Sequence, residues 1–345
     1  MIDKPDPARG IYFVYDGDCP LCTSAALALR IKQDYGTLNL INAREAADHP
    51  HVREITRRGL DLDERMAIFA DGRIYHGADA LGFMARYGET RNAFMAATRA
   101  LFWSEKLSAL TYPWMRGVRN WLLRRRNVKP IDNLNLRSQP TFKPVFGADW
   151  DKLPPVLRAH CANRAYTNNE VVAEGVLDVT CLGPIGVLAP LLRLMRQIPA
   201  TSEMNVPVTL RFRSDLDTKA CHFDRTFRFK SWGPYRFHSR MFHIAGNEMI
   251  EVMRFGLGWR MHYSWDGEKI VLGHAGYAFR LFGHLIPIPL GLLIGEGCAE
   301  EVPVDDEHFD MMTHITHCWW GKVYGYKGRF RIERSLHENA GQRNG

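Results

Sequence analysis

The chain has 345 residues, of which 46% are apolar and 24% charged, with a formal net charge of +7. This length suits two domains, and the composition excludes collagen-like, low-complexity and mostly disordered chains. No window approaches the ~18 uninterrupted apolar residues of a membrane-spanning helix, and residues 1–7 lack the apolar core of a signal peptide, so the cytoplasm is the expected location, with the membrane periphery as an extension of it.

The charge is uneven. Residues 1–145 carry 22 basic and 16 acidic residues, a net of +6, against 23 and 22, a net of +1, for residues 146–345. Residues 86–143 alone hold 12 basic and 3 acidic residues, including Arg124, Arg125 and Arg126. A local excess of this kind suits a solvated helix face or an anionic membrane surface, with residues 91–128 as the candidate contact. Nothing beside it reads as a nucleic-acid-binding module, so no nucleic acid is expected.

In chain order, Ile11–Tyr15 reads as a strand, residues 20–35 as a helix, Leu38–Ile41 as a strand and residues 44–59 as a helix. Residues 65–76 read as a hairpin around Asp71-Gly72, followed by a helix over 78–87. The order β-α-β-α-β-β-α predicts a small α/β domain with a mixed sheet. Residues 91–128 continue as helix, and 129–150, with Pro130, Pro140 and Pro144, read as a linker.

Residues 154–167 and 183–198 read as helices. In the second, Leu188, Leu191, Leu192 and Met195 are expected to face a core. From 205 onward short β-type runs dominate, at 206–212, 221–229, 235–244, 249–255, 259–265, 269–282, 310–318 and 322–331. They predict a β-rich α+β domain built on a curved antiparallel sheet, with residues 284–295 crossing its mouth. The expected boundaries are 1–128, linker 129–150, 151–335 and a tail 336–345.

Seven cysteines lie at 19, 22, 161, 181, 221, 298 and 318. Only Cys19 and Cys22 are close, so a disulfide framework is not expected, and the others read as buried hydrophobes. The pair lies in Asp16-Gly-Asp-Cys-Pro-Leu-Cys22, between the first strand and the first helix. There, unpaired N–H groups and the helix dipole favour a thiolate at Cys19, and Pro20 suits the first turn. Cys19 is thus the candidate attacking thiolate and Cys22 the shielded resolving thiol. A zinc site needs two further ligands that no motif supplies, and a merely structural pair is the other alternative. No metal and no cofactor beyond the dithiol are expected. Of Asp16 and Asp18, one is expected to cap the helix and the other, Asp16, to take the Cys22 proton.

The Asp16-x-x-Cys19-x-x-Cys22 pattern, with Phe69-Ala-Asp-Gly72 and Tyr75-His-Gly-Ala-Asp-Ala80, resembles the DCC thiol-disulfide oxidoreductase family over Ile11–Asn127. The resemblance implies a thioredoxin-like fold, an oxidoreductase activity, a role for Asp16 and a small-thiol or protein disulfide partner. Where thioredoxins carry a proline before the third strand, this chain has Asp63-Glu-Arg-Met66. The second part resembles the domain family DUF4166 over Leu153–Arg334, through Gly175-Val-Leu, the apolar helix to Pro199, Arg225-x-Phe227, Pro287-Ile-Pro-Leu290 and Tyr324–Gly328, which implies no activity. Its histidines His314, His317, His238 and His243, with Cys318, do not converge on a metal as written. Arg225, Arg228, Arg236 and Arg240 read as solvated faces or an anionic pocket. A second function is therefore a protein that holds an apolar or anionic small molecule in this domain, with the first domain as a redox sensor or non-catalytic scaffold.

Overall fold

The computed structural model describes residues 10–28, 37–88, 128–216, 218–281 and 284–336, with 96, 100, 111, 115, 117–123, 125 and 126. The chain divides into two compact units, Met1–Asn135 and Leu136–Gly345.

The first unit runs β1 (Ile11–Tyr15), α1 (Pro20–Ala28), β2 (Leu38–Asn42), α2 (Pro50–Arg57), β3 (Ala67–Ala70), β4 (Arg73–His76) and α3 (Ala78–Tyr87). The sheet order is β2-β1-β3-β4, with β1 parallel to β2 and the other neighbours antiparallel. This mixed sheet is consistent with a thioredoxin-like domain. The β1 side chains split between the two faces: Ile11 and Phe13 pack with Ile68, Leu81 and Met84 on one side, and Val14 packs with Ile41, Val52 and Ile55 on the other. Asp71 and Gly72 take positive φ, as the Asp-Gly hairpin signal requires. Residues 117–123 are helical. Most of the expected contact surface at 91–128, Arg124 included, lies outside the described residues, as does the expected helical continuation over 29–35.

The second unit is antiparallel as expected but more closed than the expected curved sheet. Two long strands absent from the sequence reading, β5 (Glu170–Cys181) and β13 (Glu296–Pro303), join β6 (Glu203–Asp215), β7 (Thr218–Phe229), β8 (Gly233–Ala245), β9 (Glu248–Val252), β10 (Leu257–Trp265), β11 (Ile270–Leu281), β12 (His284–Ile288), β14 (His308–His317) and β15 (Gly321–Leu336). All pairings are antiparallel. The order β10-β9-β8-β7-β6-β5-β15-β14-β13-β11 returns to β10 through the β10–β11 hairpin, so ten strands close a barrel, with β12 laid on β11. Closure rests on β5 against β15, the first strand of the unit on the last, and this seam removes both free edges. It needs glycine: a Cβ on Gly328 would stand 1.9 Å from the Val176 carbonyl oxygen, and one on Gly175 would stand 2.1 Å from that of Arg329.

Part of the expected linker 129–150 is structured. Residues 143–146 form a helical turn and 147–152 a 3-10 helix, and Phe142, Phe146 and Trp150 enter the barrel core with Val156 and Leu157 of α4 (Pro155–His160). Helix α5 (Gly183–Leu194) also differs from expectation. It buries Ile185 and Ala189, whereas Leu188, Leu191 and Met195 are exposed. The helix is apolar all round, so periodicity alone did not settle which side meets the core.

Candidate redox site and barrel cavity

The turn from β1 into α1 is drawn tight over β2. The Gly17 N–H donates to Asn42 Oδ1 at 3.0 Å, and a Cβ on Gly17 would stand 2.2 Å from the Asn42 amide, so a side chain here would displace the group that holds the turn. Cys19 occupies the N-cap of α1: its carbonyl accepts from Thr23 N–H at 2.9 Å, and its Sγ accepts from Cys22 N–H at 3.2 Å. The sulfur thus fills the role a Ser or Asp oxygen fills at other helix starts. This corrects the expected cap, because neither Asp16 nor Asp18 caps α1. Asp16 instead accepts from the Asp18 N–H at 3.1 Å, and Asp18 is exposed beside Arg44 at 3.2 Å.

Asp16 is buried between two arginines. Arg44 Nε approaches its Oδ1 at 2.5 Å and Arg119 Nη2 its Oδ2 at 3.1 Å. Arg44 also donates to the Lys129 carbonyl at 2.6 Å. Arg119, from the helical residues 117–123, donates through Nη1 to the Asp63 carbonyl. The Asp63 carboxylate in turn accepts from the Ile131 and Asp132 N–H groups at 2.7 Å each. The stretch Asp63–Met66, which leads into β3, is therefore tied to Arg119. Met66 packs in the same core as both thiols.

This arrangement separates the thiols electrostatically. The hydrogen bond from the Cys22 thiol, the Arg119 charge and the Cys22 N–H bring Cys19 down to about 6, against burial and the Asp16 charge. Cys22 moves the other way, raised well above the thiol range by its bond to Cys19, by burial and by the Cys19 charge, although Arg119 also hydrogen-bonds it. The two shifts run in opposite directions, towards thiolate at Cys19 and towards thiol at Cys22. Their exposure departs from expectation, because Cys19 is as enclosed as Cys22, at 0% and 2%. Sequence reasoning missed Arg119 altogether. It is one of the 12 basic residues of 86–143, read there as surface, yet it is 5% exposed.

In the second unit the barrel encloses a cavity of about 140 Å³. Most of its wall is aromatic and aliphatic. Arg225 enters it flanked by the rings of Phe223 and Phe237, each 3.9 Å from its guanidinium carbon, and is paired with Glu251. Ser239 Oγ links the two, at 2.7 Å from Arg225 Nη2 and 2.6 Å from Glu251 Oε1. Arg225 is thus a barrel-interior residue, whereas Arg228, Arg236 and Arg240 are exposed. His160 stands 3.4 Å from Glu301, also on the wall. Among the described residues no group of His, Cys, Asp and Glu is arranged to hold a metal ion, and none of the helices is long and apolar enough to cross a membrane.

Comparison with known families matches residues 13–125 to the model described as DCC1-like thiol-disulfide oxidoreductase, and residues 153–330 to that described as a domain of unknown function, DUF4166. No curated protein matches the chain. Among solved structures, the dehydratase domain of PpsC from Mycobacterium tuberculosis in complex with C12:1-CoA is similar at 6% identity and a TM-score of 0.13, over 54% of this chain and 84% of that one. The dehydratase domain of the polyketide PpsC from the same organism is similar at 8% and 0.12, over 54% and 83%. At such scores the likeness carries no argument.

Proposed function

Because the chain belongs to the DUF4166 domain family and carries a DCC1-like thiol-disulfide oxidoreductase domain ahead of it, we propose that its first unit performs thiol–disulfide exchange through Cys19 and Cys22. The observation that carries this reading is the Cys19 sulfur at the start of α1, accepting from the Cys22 N–H at 3.2 Å, with the buried Arg119 held on Asp16 beside both thiols.

The Cys19 thiolate attacks one sulfur of a substrate disulfide. A Cys19–substrate disulfide forms, and the other substrate sulfur leaves as a thiolate. Cys22 then gives its proton to the substrate thiolate released in the first step and attacks Cys19 Sγ. The Cys19–Cys22 disulfide forms, the second substrate sulfur leaves, and the substrate is reduced by two electrons as the dithiol is oxidised. Run backwards, the same steps oxidise a substrate dithiol. A thiolate near pKa 6 is almost wholly ionised at neutral pH and is also a good leaving group, which favours both its attack and its release. Asp16 holds Arg119 against the thiols, so its part is that of a positioning residue. The two arginines on its oxygens take the place that a Cys22 proton would need.

The test is equilibration in defined glutathione buffers, followed by alkylation and mass spectrometry of the peptide holding Cys19 and Cys22. A reversible two-electron transition, lost in Cys19→Ser, supports the reading. Two thiols that form no disulfide at any potential would overturn it.

A further inference from the structure

The barrel has two unlike ends. Its strands alternate in direction, so the connections at 182–202, 230–232, 253–256, 284–295 and 318–320 all fall at one end. Contacts link them: the Leu182 N–H donates to the Val323 carbonyl at 2.8 Å, Gln197 Nε2 to the Arg254 carbonyl at 3.0 Å, and His317 Nε2 lies 3.2 Å from the Leu292 carbonyl. This end is strongly apolar on the outside. Val187 and Leu194 of α5 are 81% and 80% exposed, Leu292 76% and Trp319 78%. Leu293, Phe255 and Trp320 join them. Elsewhere in the unit, only Val176, Leu216, Ile244, Val302 and Val304 are exposed large hydrophobics among the described residues.

Charge follows the same division. The five connections contain Arg193, Arg196, Lys230 and Arg254 and no acidic residue. Glu203 and Glu296 open neighbouring strands at this end, and Glu203 is taken up by the Lys230 and Ser231 N–H groups at 2.7 and 3.2 Å. The hairpin connections at the opposite end carry Asp266, Glu268, Asp305, Asp306 and Glu307 against Lys269. The segment 136–169 beside them is mixed in sign. Cations interleaved with Trp, Phe and Leu, all at one end, match an interface where lipid headgroups are anionic and the layer beneath is apolar. With Glu203 held by backbone N–H groups, the exposed Glu296 stands against the exposed Arg196, Lys230 and Arg254, an excess of cations that favours an anionic lipid surface over a protein partner. Behind this end lies the cavity, and Leu192, Ile198, Met253, Leu257 and Ile294 form its wall there.

We propose that this end of the barrel, centred on α5 and residues 290–294, docks on the surface of an anionic phospholipid bilayer. The full chain is tested by co-sedimentation with vesicles of phosphatidylcholine containing about 30% phosphatidylserine, against pure phosphatidylcholine. Binding is expected to the anionic vesicles and to fall as salt rises. Removing two charges in Arg196→Gln/Lys230→Gln is expected to weaken it about 25-fold, at about fivefold per charge. Leu292→Asp/Leu293→Asp is expected to abolish it with the near-ultraviolet circular dichroism unchanged, and Asp305→Asn/Asp306→Asn, at the far end, to leave it intact. No binding at low salt overturns the proposal. So does binding that survives the Leu292/Leu293 change, or a dimer that this change dissociates, which would make a second copy of the chain the occupant of the face.

Discussion

Arg119 and Asp16 lie 103 residues apart in the chain and meet at 3.1 Å beneath the two thiols, both almost wholly buried. The largest influence on Cys19 is the hydrogen bond from Cys22, and this pair adds to it from outside the dithiol. Arg119 favours thiolate at Cys19, and Asp16 opposes it through space while fixing the arginine that provides it.

Replacing Arg119 by Met is therefore expected to raise the Cys19 pKa and leave less thiolate at neutral pH. A rise of one unit, from about 6, destabilises the reduced form and moves the Cys19–Cys22 potential about 20 mV more negative at pH 7. Iodoacetamide labelling across pH gives the first quantity and glutathione titration the second. An unchanged labelling midpoint would remove Arg119 from the site.

Asp16→Ala leaves Arg44 and Arg119 inside the fold without their shared carboxylate. Breaking a buried pair from one side costs about 3–5 kcal/mol, so urea unfolding of the first unit is expected at a markedly lower midpoint. Asp16→Asn keeps the shape and removes the charge that opposes Cys19 ionisation. Its labelling midpoint is expected below that of the parent protein. A general-base role for Asp16 predicts instead a slowed release of the mixed disulfide in this variant, read by stopped-flow with a chromogenic disulfide.

Labelling of Cys19 in the reduced protein is expected to be half-maximal near pH 6, with Cys22 unlabelled far above it. The same shifts act on stability. A thiol whose folded pKa lies below its unfolded value of about 8.5 stabilises the fold above that value, and the contribution is lost as pH falls through about 6. Cys22 is raised, so it acts oppositely and withdraws stability as pH climbs past its unfolded value. Stability of the reduced first unit should rise from pH 6 towards pH 8 and fall beyond about 9. The Cys19→Ser variant should lose the rising limb.

Gly328→Ala is expected to open or unfold the barrel, because its methyl would meet the Val176 carbonyl of the neighbouring strand rather than a side chain that can swing away. Loss of the near-ultraviolet signal of the barrel aromatics would report it. Gly72→Ala, at a turn where a Cβ meets nothing within 4 Å, should cost only the strain of its positive φ.

The first unit was largely legible in the sequence because its signals are local. The Asp71-Gly72 turn, the short apolar strands and the cysteine spacing each act within a few residues. Arg119 was not legible, because a buried arginine and a surface one look alike in a segment of 12 basic residues. The full closure of the barrel was not legible for a related reason. Val171, Ala173, Leu177 and Val179 of β5 are buried in alternation, yet Glu174, Gly175 and Asp178 interrupt the run, and without β5 the last strand pairs on one edge alone, with β14. Closure pairs the ends of a long segment, and no local pattern encodes that seam.

The enclosure of Cys19 has a consequence for timing. A sulfur that is ionised at neutral pH yet shut away from solvent exchanges only as fast as its surroundings part, however reactive it is once reached. Small oxidants and free glutathione then equilibrate with the pair slowly, while a partner that itself pries the site open meets a thiolate already formed. Such a dithiol keeps a record of its last specific encounter, insulated from the average redox state around it.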